Sequence, residues 1–544
     1  MTEHPFAITL DVGSSLANRT GAWRTERPVY VNRMPPCNDA CPAGENVQAW
    51  LYEAEDGGYE RAWRQLVRDN PFPAIMGRVC YHPCQDACNR GQLDEAVGIN
   101  AVERFVGDEA IRRGWRFDPP PAPTGKRVLV VGAGPCGLSA AYHLAVRGHA
   151  VTVRDAGEAA GGMMRYGIPA YRLPRDVLDA EIGRIVDLGV TVEQNRRVDD
   201  PVAALAEFDA VFLAVGAQLS KRAYVPAGES ARILDALGVL HDVAEGERPL
   251  LGRRVVVYGG GNTALDVARS AKRLGATEPL VVYRRTRAQM PAHPEETDEA
   301  IEEGVRMRWL STIAYAGSGR VVVERMRLDD NGFPQPTGEF EELPADAVVL
   351  ALGQEVDRSI VDSAPDIEVD HGTVRVDAHL MTGRPGVFAG GDMVPSRRTV
   401  TDAVGHGKRA AREIDAWLGG GTPTPAARPP LATFERLNTW YYSDAPATLR
   451  PRLDLARRAS TFDEVVRGLD ESTALFEARR CLSCGNCFGC DNCFGVCPDN
   501  AVRKLDEGHR AGSYAIDLDY CKGCGICVAE CPAGAIEMVP EEES

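Results

Sequence analysis

The sequence predicts an α/β fold built on parallel sheets for its middle. A mostly helical, cysteine-bearing segment precedes it and a compact, cysteine-bearing segment follows. Three observations carry this. Short β-rich runs at Val128–Val131, Val151–Arg154, Ala210–Val215, Val255–Tyr258, Leu280–Tyr283 and Ala347–Leu352 alternate with helical patterns, and such alternation argues for parallel sheets. Glycine-rich turns follow two of those strands, at Gly132 and at Gly259. The 16 cysteines are clustered: five between Cys37 and Cys88, ten between Cys481 and Cys531, and Cys136 alone.

The chain has 544 residues, room for three to four domains at about 150 residues each. Hydrophobic residues are 44% and charged residues 26%, close to globular averages, so a disordered chain is excluded. With 61 basic against 78 acidic side chains the formal charge is −17, which lacks the basic footprint of a nucleic-acid binder. The most membrane-like stretch, Val128 to Val146, contains Gly132, Gly134, Pro135, Gly137 and His143, and a nucleotide-binding turn explains it better than a bilayer span. Glu3, His4 and Asp11 interrupt any leader-like pattern, so no membrane span and a cytoplasmic location are expected. In that reducing compartment clustered cysteines point to metal rather than disulfides.

Two connectors divide the chain. Pro119, Pro120, Pro121 and Pro123 precede Gly125, and Gly419, Gly420 and Gly421 precede Pro423, Pro425, Pro429 and Pro430. The first 120 residues read as mostly helical, with segments such as Val47–Glu55 and Tyr59–Arg68.

The first turn, Gly132-Ala-Gly134-Pro-Cys-Gly137, joins a strand to the helical run Leu138 to Val146. Gly132 permits the tight turn, Gly134 the approach of a pyrophosphate, and Gly137 close packing of helix on strand. The helix N-terminus presents free N–H groups to phosphate. Asp155 ends the next strand, 23 residues after Gly132, where a carboxylate accepts from a ribose hydroxyl. The second turn is Gly259-Gly-Gly261-Asn262-Thr263-Ala264, with alanine in the third glycine's place. Its following strand ends in Tyr283-Arg284-Arg285. Two guanidinium forks where an acid would otherwise meet the ribose match a 2′-phosphate, so NADPH is expected rather than NADH. Two dinucleotide sites on one chain imply a flavin and a nicotinamide. The strand end Gly390-Gly391-Asp392, followed by Thr399-Val-Thr401 and a helical pattern, fits the returning half of a split FAD domain.

The chain resembles the glutamate synthase small (beta) subunit-like FAD/NAD(P)-dependent oxidoreductases. The resemblance rests on Cys41-Pro, Gly77-Arg-Val-Cys80, Gly161-Gly162-Met163 with Arg165-Tyr-Gly-Ile-Pro169, Tyr171-Arg-Leu-Pro174, Gly259 to Ala264, and Tyr283-Arg-Arg285 with Met290-Pro-Ala292. It implies tandem Rossmann-type, glutathione-reductase-like domains, the first for FAD and the second, inserted into it, for NADPH. The expected organisation is a helical Fe–S domain at 1–120, FAD domain at 121–245, NAD(P)H domain at 246–378, and returning FAD segment at 379–420. Linker and helices at 421–475 and a small α+β ferredoxin domain at 476–544 complete it. The resemblance places Gly162, Met163, Arg165, Gly391, Asp392, Thr399 and Thr401 with Gly132, Gly134, Gly137 and Asp155 around FAD, and Gly259, Gly261, Asn262, Thr263, Arg284 and Arg285 around NADPH. The pyrimidine-reducing relatives carry an extra barrel. Only about 55 residues separate Gly421 from the last domain, against roughly 200 for a barrel, so that activity is not expected.

Cys487-x2-Cys490-x2-Cys493-x3-Cys497-Pro repeats as Cys521-x2-Cys524-x2-Cys527-x3-Cys531-Pro. This is the two-cluster ferredoxin run, in which each fourth cysteine ligates the other cluster. Cys487, Cys490, Cys493 and Cys531 are thus assigned to one [4Fe–4S] cluster, and Cys521, Cys524, Cys527 and Cys497 to the second; zinc does not use this duplicated pattern. Cys481 and Cys484 stand upstream without an assigned iron, as unligated thiols or alternative ligands. Where the resembling family has two further N-terminal cysteines this chain has Tyr30-Val-Asn-Arg33. Five N-terminal thiols cannot build two four-cysteine clusters, so one N-terminal cluster is expected. The resemblance makes Cys41, Cys80 and Cys84 its ligands with Glu103 as a non-cysteine fourth; Cys88 or Cys37 is the competing fourth.

The expected activity is electron transfer: NADPH reduces FAD, and [4Fe–4S] centres conduct electrons to a larger catalytic redox subunit or to ferredoxin in a hetero-oligomer. No general acid or nucleophile is singled out, because the cofactors carry the chemistry. The alternatives are a stand-alone NAD(P)H:ferredoxin oxidoreductase and a non-catalytic iron–sulfur scaffold.

Overall fold

The computed structural model describes residues 19–221, 225–228, 231–421, 427–505 and 514–541. Two five-stranded parallel sheets form the middle. The first has the order Val387–Ala389, Ala210–Leu213, Arg127–Val131, Ala150–Arg154, Thr191–Glu193. Val128 to Val131 are all buried, as a strand covered on both faces requires. The helices Pro135–Ala145 and Val400–Leu418 pack against each other beside this sheet. They touch through glycine: a Cβ on Gly407 would lie 2.3 Å from the Cys136 carbonyl oxygen. Ser139 Oγ donates to the Val404 carbonyl at 2.8 Å across the same contact.

The second sheet has the order Arg306–Arg308, Glu278–Val282, Arg254–Tyr258, Ala347–Leu350, Ile233–Asp235. The strand Ile233–Asp235 falls inside the segment expected to belong to the FAD domain, yet it pairs with Ala347–Leu350. The crossover into the second sheet therefore precedes residue 246. Asp235 caps the helix Ala236–Ala244, accepting from Gly238 N at 2.8 Å. A three-stranded antiparallel sheet, Ser311–Gly317, Arg320–Leu328 and Pro334–Pro344, flanks this unit.

The N-terminal helices include Val47–Glu55, Tyr59–Val67, Pro73–Val79, Pro83–Asp86 and Ile99–Arg113. In Tyr59–Val67 the buried residues are Tyr59, Ala62, Trp63, Leu66 and Val67, the spacing of one helical face. Helices Pro73–Val79 and Ile99–Arg113 meet backbone to backbone. A Cβ on Gly77 would stand 2.4 Å from Arg104 Cα, and one on Gly107 would stand 2.3 Å from Ala74 N.

The two ends of the chain are interlocked rather than separate. The N-terminal strand Glu26–Tyr30 pairs antiparallel with Ile536–Pro540 of the ferredoxin segment, Tyr30 opposite Ile536. A lone C-terminal edge is an unpaired ladder, and Glu26–Tyr30 covers it. Tyr30 stacks on Tyr514 with centroids 6.2 Å apart and its hydroxyl sits 3.2 Å from Cys493 Sγ. Residues 427–478, which include most of the linker and helices expected at 421–475, form a strap across the molecule. Glu464 pairs with Arg78 at 2.8 Å and Arg104 at 2.9 Å, and the helix Glu471–Ala478 packs on Ile99–Arg113. Among the described residues no helix is long and apolar enough to cross a membrane.

Candidate functional site

Gly132 adopts φ +106°, where a Cβ would meet the Ala214 carbonyl at 2.5 Å, and a Cβ on Gly137 would lie 1.9 Å from the Gly132 carbonyl oxygen. Gly134 heads the helix Pro135–Ala145 without a side-chain cap, leaving its first N–H groups free. Asp155 braces the turn, accepting from Ala133 N at 2.6 Å and Gly157 N at 2.7 Å. Gly162, at φ +51°, brings the next loop against it: a Cβ there would stand 2.8 Å from Gly134 Cα. Gly132, Asp155, Gly162 and Met163 line two adjoining cavities of about 990 and 590 Å³, a long groove of the size a dinucleotide needs.

The second turn faces the smaller cavity with Gly261, Asn262 and Thr263. A Cβ on Gly259 would strike the Ala351 carbonyl at 2.1 Å, whereas Gly261 has open space above it at the start of the helix Asn262–Arg273. Asn262 Nδ2 donates to Tyr81 Oη at 2.6 Å, its Oδ1 accepts from His293 N at 2.8 Å, and Tyr81 stacks on His293 at 4.8 Å. Arg284 is exposed. Arg285 lies over Phe333 at 5.9 Å, and its buried Nε has no hydrogen-bond partner. Among the described residues neither arginine pairs with a carboxylate, which suits an external phosphate.

From the returning segment Gly391, Asp392 and Thr399 line the smaller cavity. Burial raises the Asp392 carboxyl. Thr399 caps the helix Val400–Leu418, accepting from Asp402 N at 3.0 Å. Two expected contacts fall elsewhere. Thr401 is buried and donates to Met76 Sδ at 3.8 Å, on the Cys80 side, because the helical turn carries it away from the wall that Thr399, Val400 and Ala403 form. Arg165 donates from Nε to the Ala160 carbonyl at 2.6 Å and pairs with Asp179. It thereby holds the Gly161–Gly162 loop from outside rather than entering the groove.

Val79 and Tyr81 form part of the same cavity wall, and Cys80 lies between them. Burial, then Glu103, pushes the Cys80 thiol up to about 12; burial and neighbouring Cys80 and Cys41 raise Cys84. Cys41, Cys80, Cys84 and Glu103 are therefore brought together as expected. A second carboxylate, Glu45, was not. Asn70 Nδ2 bridges the two, 2.9 Å from Glu45 Oε1 and 3.0 Å from Glu103 Oε1. Burial raises both, Glu45 to about 7, and Glu45 further raises Glu103. The position of Glu45 in Cys41-Pro-Ala-Gly-Glu45 was the available signal.

In the C-terminal segment burial pushes Cys493 up to about 12, with Cys490, Cys487 and Cys531 adding to it. Cys497, Cys521, Cys524 and Cys527 line one small pocket. Each fourth cysteine thus sits with the other run's first three. Cys136 is buried against Gly390 and Gly391, and burial followed by Asp392 raises its thiol; it is a filler of the first turn.

Two dinucleotide turns opening on one cavity, walled on a third side by a cysteine loop, define a nicotinamide- and flavin-linked iron–sulfur protein. The chain belongs to the pyridine nucleotide-disulphide oxidoreductase family, whose model matches residues 126–407. Residues 16–115 match the dihydropyrimidine dehydrogenase domain II, 4Fe-4S cluster family and 486–535 the 4Fe-4S dicluster domain. The chain is 40% identical over 500 residues to the NADP(+)-dependent formate dehydrogenase subunit beta of Moorella thermoacetica, covering 82% of this chain and 70% of that one. It is 33% identical to the NADPH-Fe(3+) oxidoreductase subunit beta of Geobacter sulfurreducens (84% and 77%) and 32% identical to the glutamate synthase [NADPH] small chain of Escherichia coli (71% and 89%). The chain is an oxidoreductase with an FAD/NADP-binding domain and 4Fe-4S domains at both ends. These three relatives are beta or small subunits of multisubunit enzymes. The family's disulphide pair has no counterpart between residues 121 and 420, where Cys136 is the single cysteine.

Proposed function

We propose that this chain is the NADPH-accepting, electron-distributing subunit of a larger redox enzyme. The observation that carries the reading is the 590 Å³ cavity, whose wall unites Gly134 and Gly162 with Gly261–Thr263 and with Val79 and Tyr81 beside Cys80. FAD held by this wall would supply the conversion of a two-electron hydride from NADPH into single electrons for iron–sulfur centres. Gly132, Gly134, Gly137, Asp155, Gly162, Met163, Gly391, Asp392 and Thr399 hold the flavin. Gly259, Gly261, Asn262, Thr263, Arg284 and Arg285 hold NADPH, and Asn262 ties that turn to Tyr81 and so to the cysteine loop. Cys41, Cys80, Cys84 and Glu103 hold the cluster nearest the cavity, and the eight ferredoxin cysteines hold two more.

The formate dehydrogenase, iron(III) reductase and glutamate synthase relatives support a larger catalytic redox subunit as partner. Anaerobic affinity purification from the native host tests this. Co-elution of a stoichiometric larger redox subunit is expected. A chain that elutes alone and reduces ferredoxin with NADPH overturns the subunit reading in favour of a free-standing reductase.

Two variants test the residue roles. Arg284→Ala with Arg285→Ala removes the charge-assisted hydrogen bonds to the 2′-phosphate, each about 1.5–3 kcal/mol. KM for NADPH should rise roughly 10-fold or more while KM for NADH holds; an equal rise for both removes the phosphate role. Glu103→Ala should change the spectrum of the reduced N-terminal cluster, and an unchanged spectrum transfers the fourth position to another side chain, such as Glu45, which shares Asn70 with Glu103.

A further inference from the structure

Four cysteines remain outside the sites described: Cys37, Cys88, Cys481 and Cys484. They come from opposite ends of the sequence, yet the fold gathers them. After burial, the groups that raise the Cys37 thiol are Cys481, Cys88 and Cys484. Those acting on Cys481 include Cys484 and Cys88, and Cys88 also acts on Cys484. All four are half-buried, and Cys37, Cys88 and Cys481 pack against the same N-terminal core.

The backbones that carry them are pinned together by hydrogen bonds. Arg90 Nη1 donates to the Arg480 carbonyl at 3.0 Å, so the residues flanking Cys88 grip the one before Cys481. Arg480 reaches back to the Ala96 carbonyl at 3.0 Å and to Asp94 at 3.3 Å. Beyond Cys484, Arg33 N donates to the Gly485 carbonyl at 3.0 Å and Asn486 Nδ2 to the Arg33 carbonyl at 3.2 Å.

The N-terminal spacing explains the division. Cys37 and Cys41 are four residues apart along the short helix Pro36–Ala40, whose C-cap is Cys41. Cys84 and Cys88 are four apart across Pro83–Asp86, and these two short helices pack together. Each pair turns one thiol, Cys41 or Cys84, toward Cys80 and the other, Cys37 or Cys88, toward Cys481 and Cys484. The five N-terminal thiols thus split three and two, and the two are completed from the C-terminal Cys481-x2-Cys484.

We propose that Cys37, Cys88, Cys481 and Cys484 hold a further [4Fe–4S] cluster, ligated half from each end of the chain. The chemistry of the donor set fits: four thiols, none in a disulfide, are the complement of one cluster. Among the described residues no three ligating side chains are close enough to grip a single ion. The same holds of the ferredoxin octet, whose duplicated cysteine run is that of a two-cluster protein. The site sits between the other iron–sulfur centres. Tyr442 donates its hydroxyl to the Leu482 carbonyl at 3.2 Å, and the thiols acting on it are Cys481 and Cys484 from this site with Cys490 and Cys531 from the ferredoxin quartet. The order along the fold is therefore cavity, Cys80 site, split site, ferredoxin quartet. The split site is the link that joins the N-terminal centre to the C-terminal pair.

The test is the iron content of the anaerobically reconstituted full-length chain, which does not depend on whether NADPH reduces it. Four clusters give about 16 irons per chain and three give about 12. The value near 16 is expected, and a value near 12 in the unaltered protein overturns the proposal whether or not any variant folds. Cys481→Ser with Cys484→Ser should remove about one quarter of the iron, and Cys37→Ser with Cys88→Ser the same quarter. All four changes together should remove no more than either pair. Unchanged iron in either double variant, additive losses in the quadruple variant, or stoichiometric zinc in the unaltered protein contradicts the split cluster.

Discussion

Gly137→Ala is expected to yield a chain that retains its iron and loses its flavin. The added Cβ would lie 1.9 Å from the Gly132 carbonyl oxygen, and both partners are backbone. The strain cannot be relieved by a rotamer change. It must move the helix Pro135–Ala145 off the strand Arg127–Val131, and with it the N–H groups proposed to receive the pyrophosphate. Overpacking of this kind costs about 1–3 kcal/mol, which as lost cofactor affinity is roughly 5- to 150-fold. The FAD-to-iron ratio of the purified variant reads the effect. The cysteine sites lie on other elements, so their iron should stay; a variant with full FAD occupancy contradicts the role given to this turn.

Glu303→Gln is expected to detach the strap at residues 427–478 from the nicotinamide unit. The Glu303 side chain has no exposed surface and receives Arg269 at 2.7 Å, Arg273 at 2.7 Å and Arg458 at 3.2 Å. Arg269 and Arg273 also lie over the Tyr171 ring, at 4.7 and 3.8 Å. Removing one partner from a buried ion pair costs about 3–5 kcal/mol, because the remaining charge stays in a poor solvent. The urea midpoint for release of the nicotinamide unit should fall accordingly. Burial alone would raise the Glu303 carboxyl, but hydrogen bonds from Arg269 and Arg273 bring it down to about 2. A depressed carboxyl stabilises the fold above its ordinary value, about 4.3, and that contribution fades as pH falls toward 2. The gap between variant and parent should be full at neutral pH and close in strong acid. A constant gap across that range contradicts the ion-pair account.

Much of the fold was legible in the sequence because its signals were local. Gly132, Gly134 and Gly137 follow a strand and open a helix within one short span, and the geometry of such a turn dictates those residues. The ferredoxin repeat was equally local. The features without a local signal are long-range or short. Ile233–Asp235 is a three-residue strand with no turn motif to announce it, and only pairing with Ala347–Leu350 gives it a place. Glu26–Tyr30 meets its partner some five hundred residues away, a separation no periodicity encodes. Thr401 and Arg165 were placed by resemblance; one faces Cys80 and the other braces a loop. Cys481 and Cys484 read as a surplus because their partners stand at the other end of the chain.

The most direct test of the electron path is an anaerobic titration with NADPH, followed by flavin absorbance and by electron paramagnetic resonance of the iron–sulfur centres on the same samples. One cavity shared by Gly134, Asn262 and Tyr81 predicts that the flavin bleaches and that reduced-cluster signals grow with it. Flavin that stays oxidised, or bleaches while every cluster remains oxidised with NADPH in excess, contradicts the account.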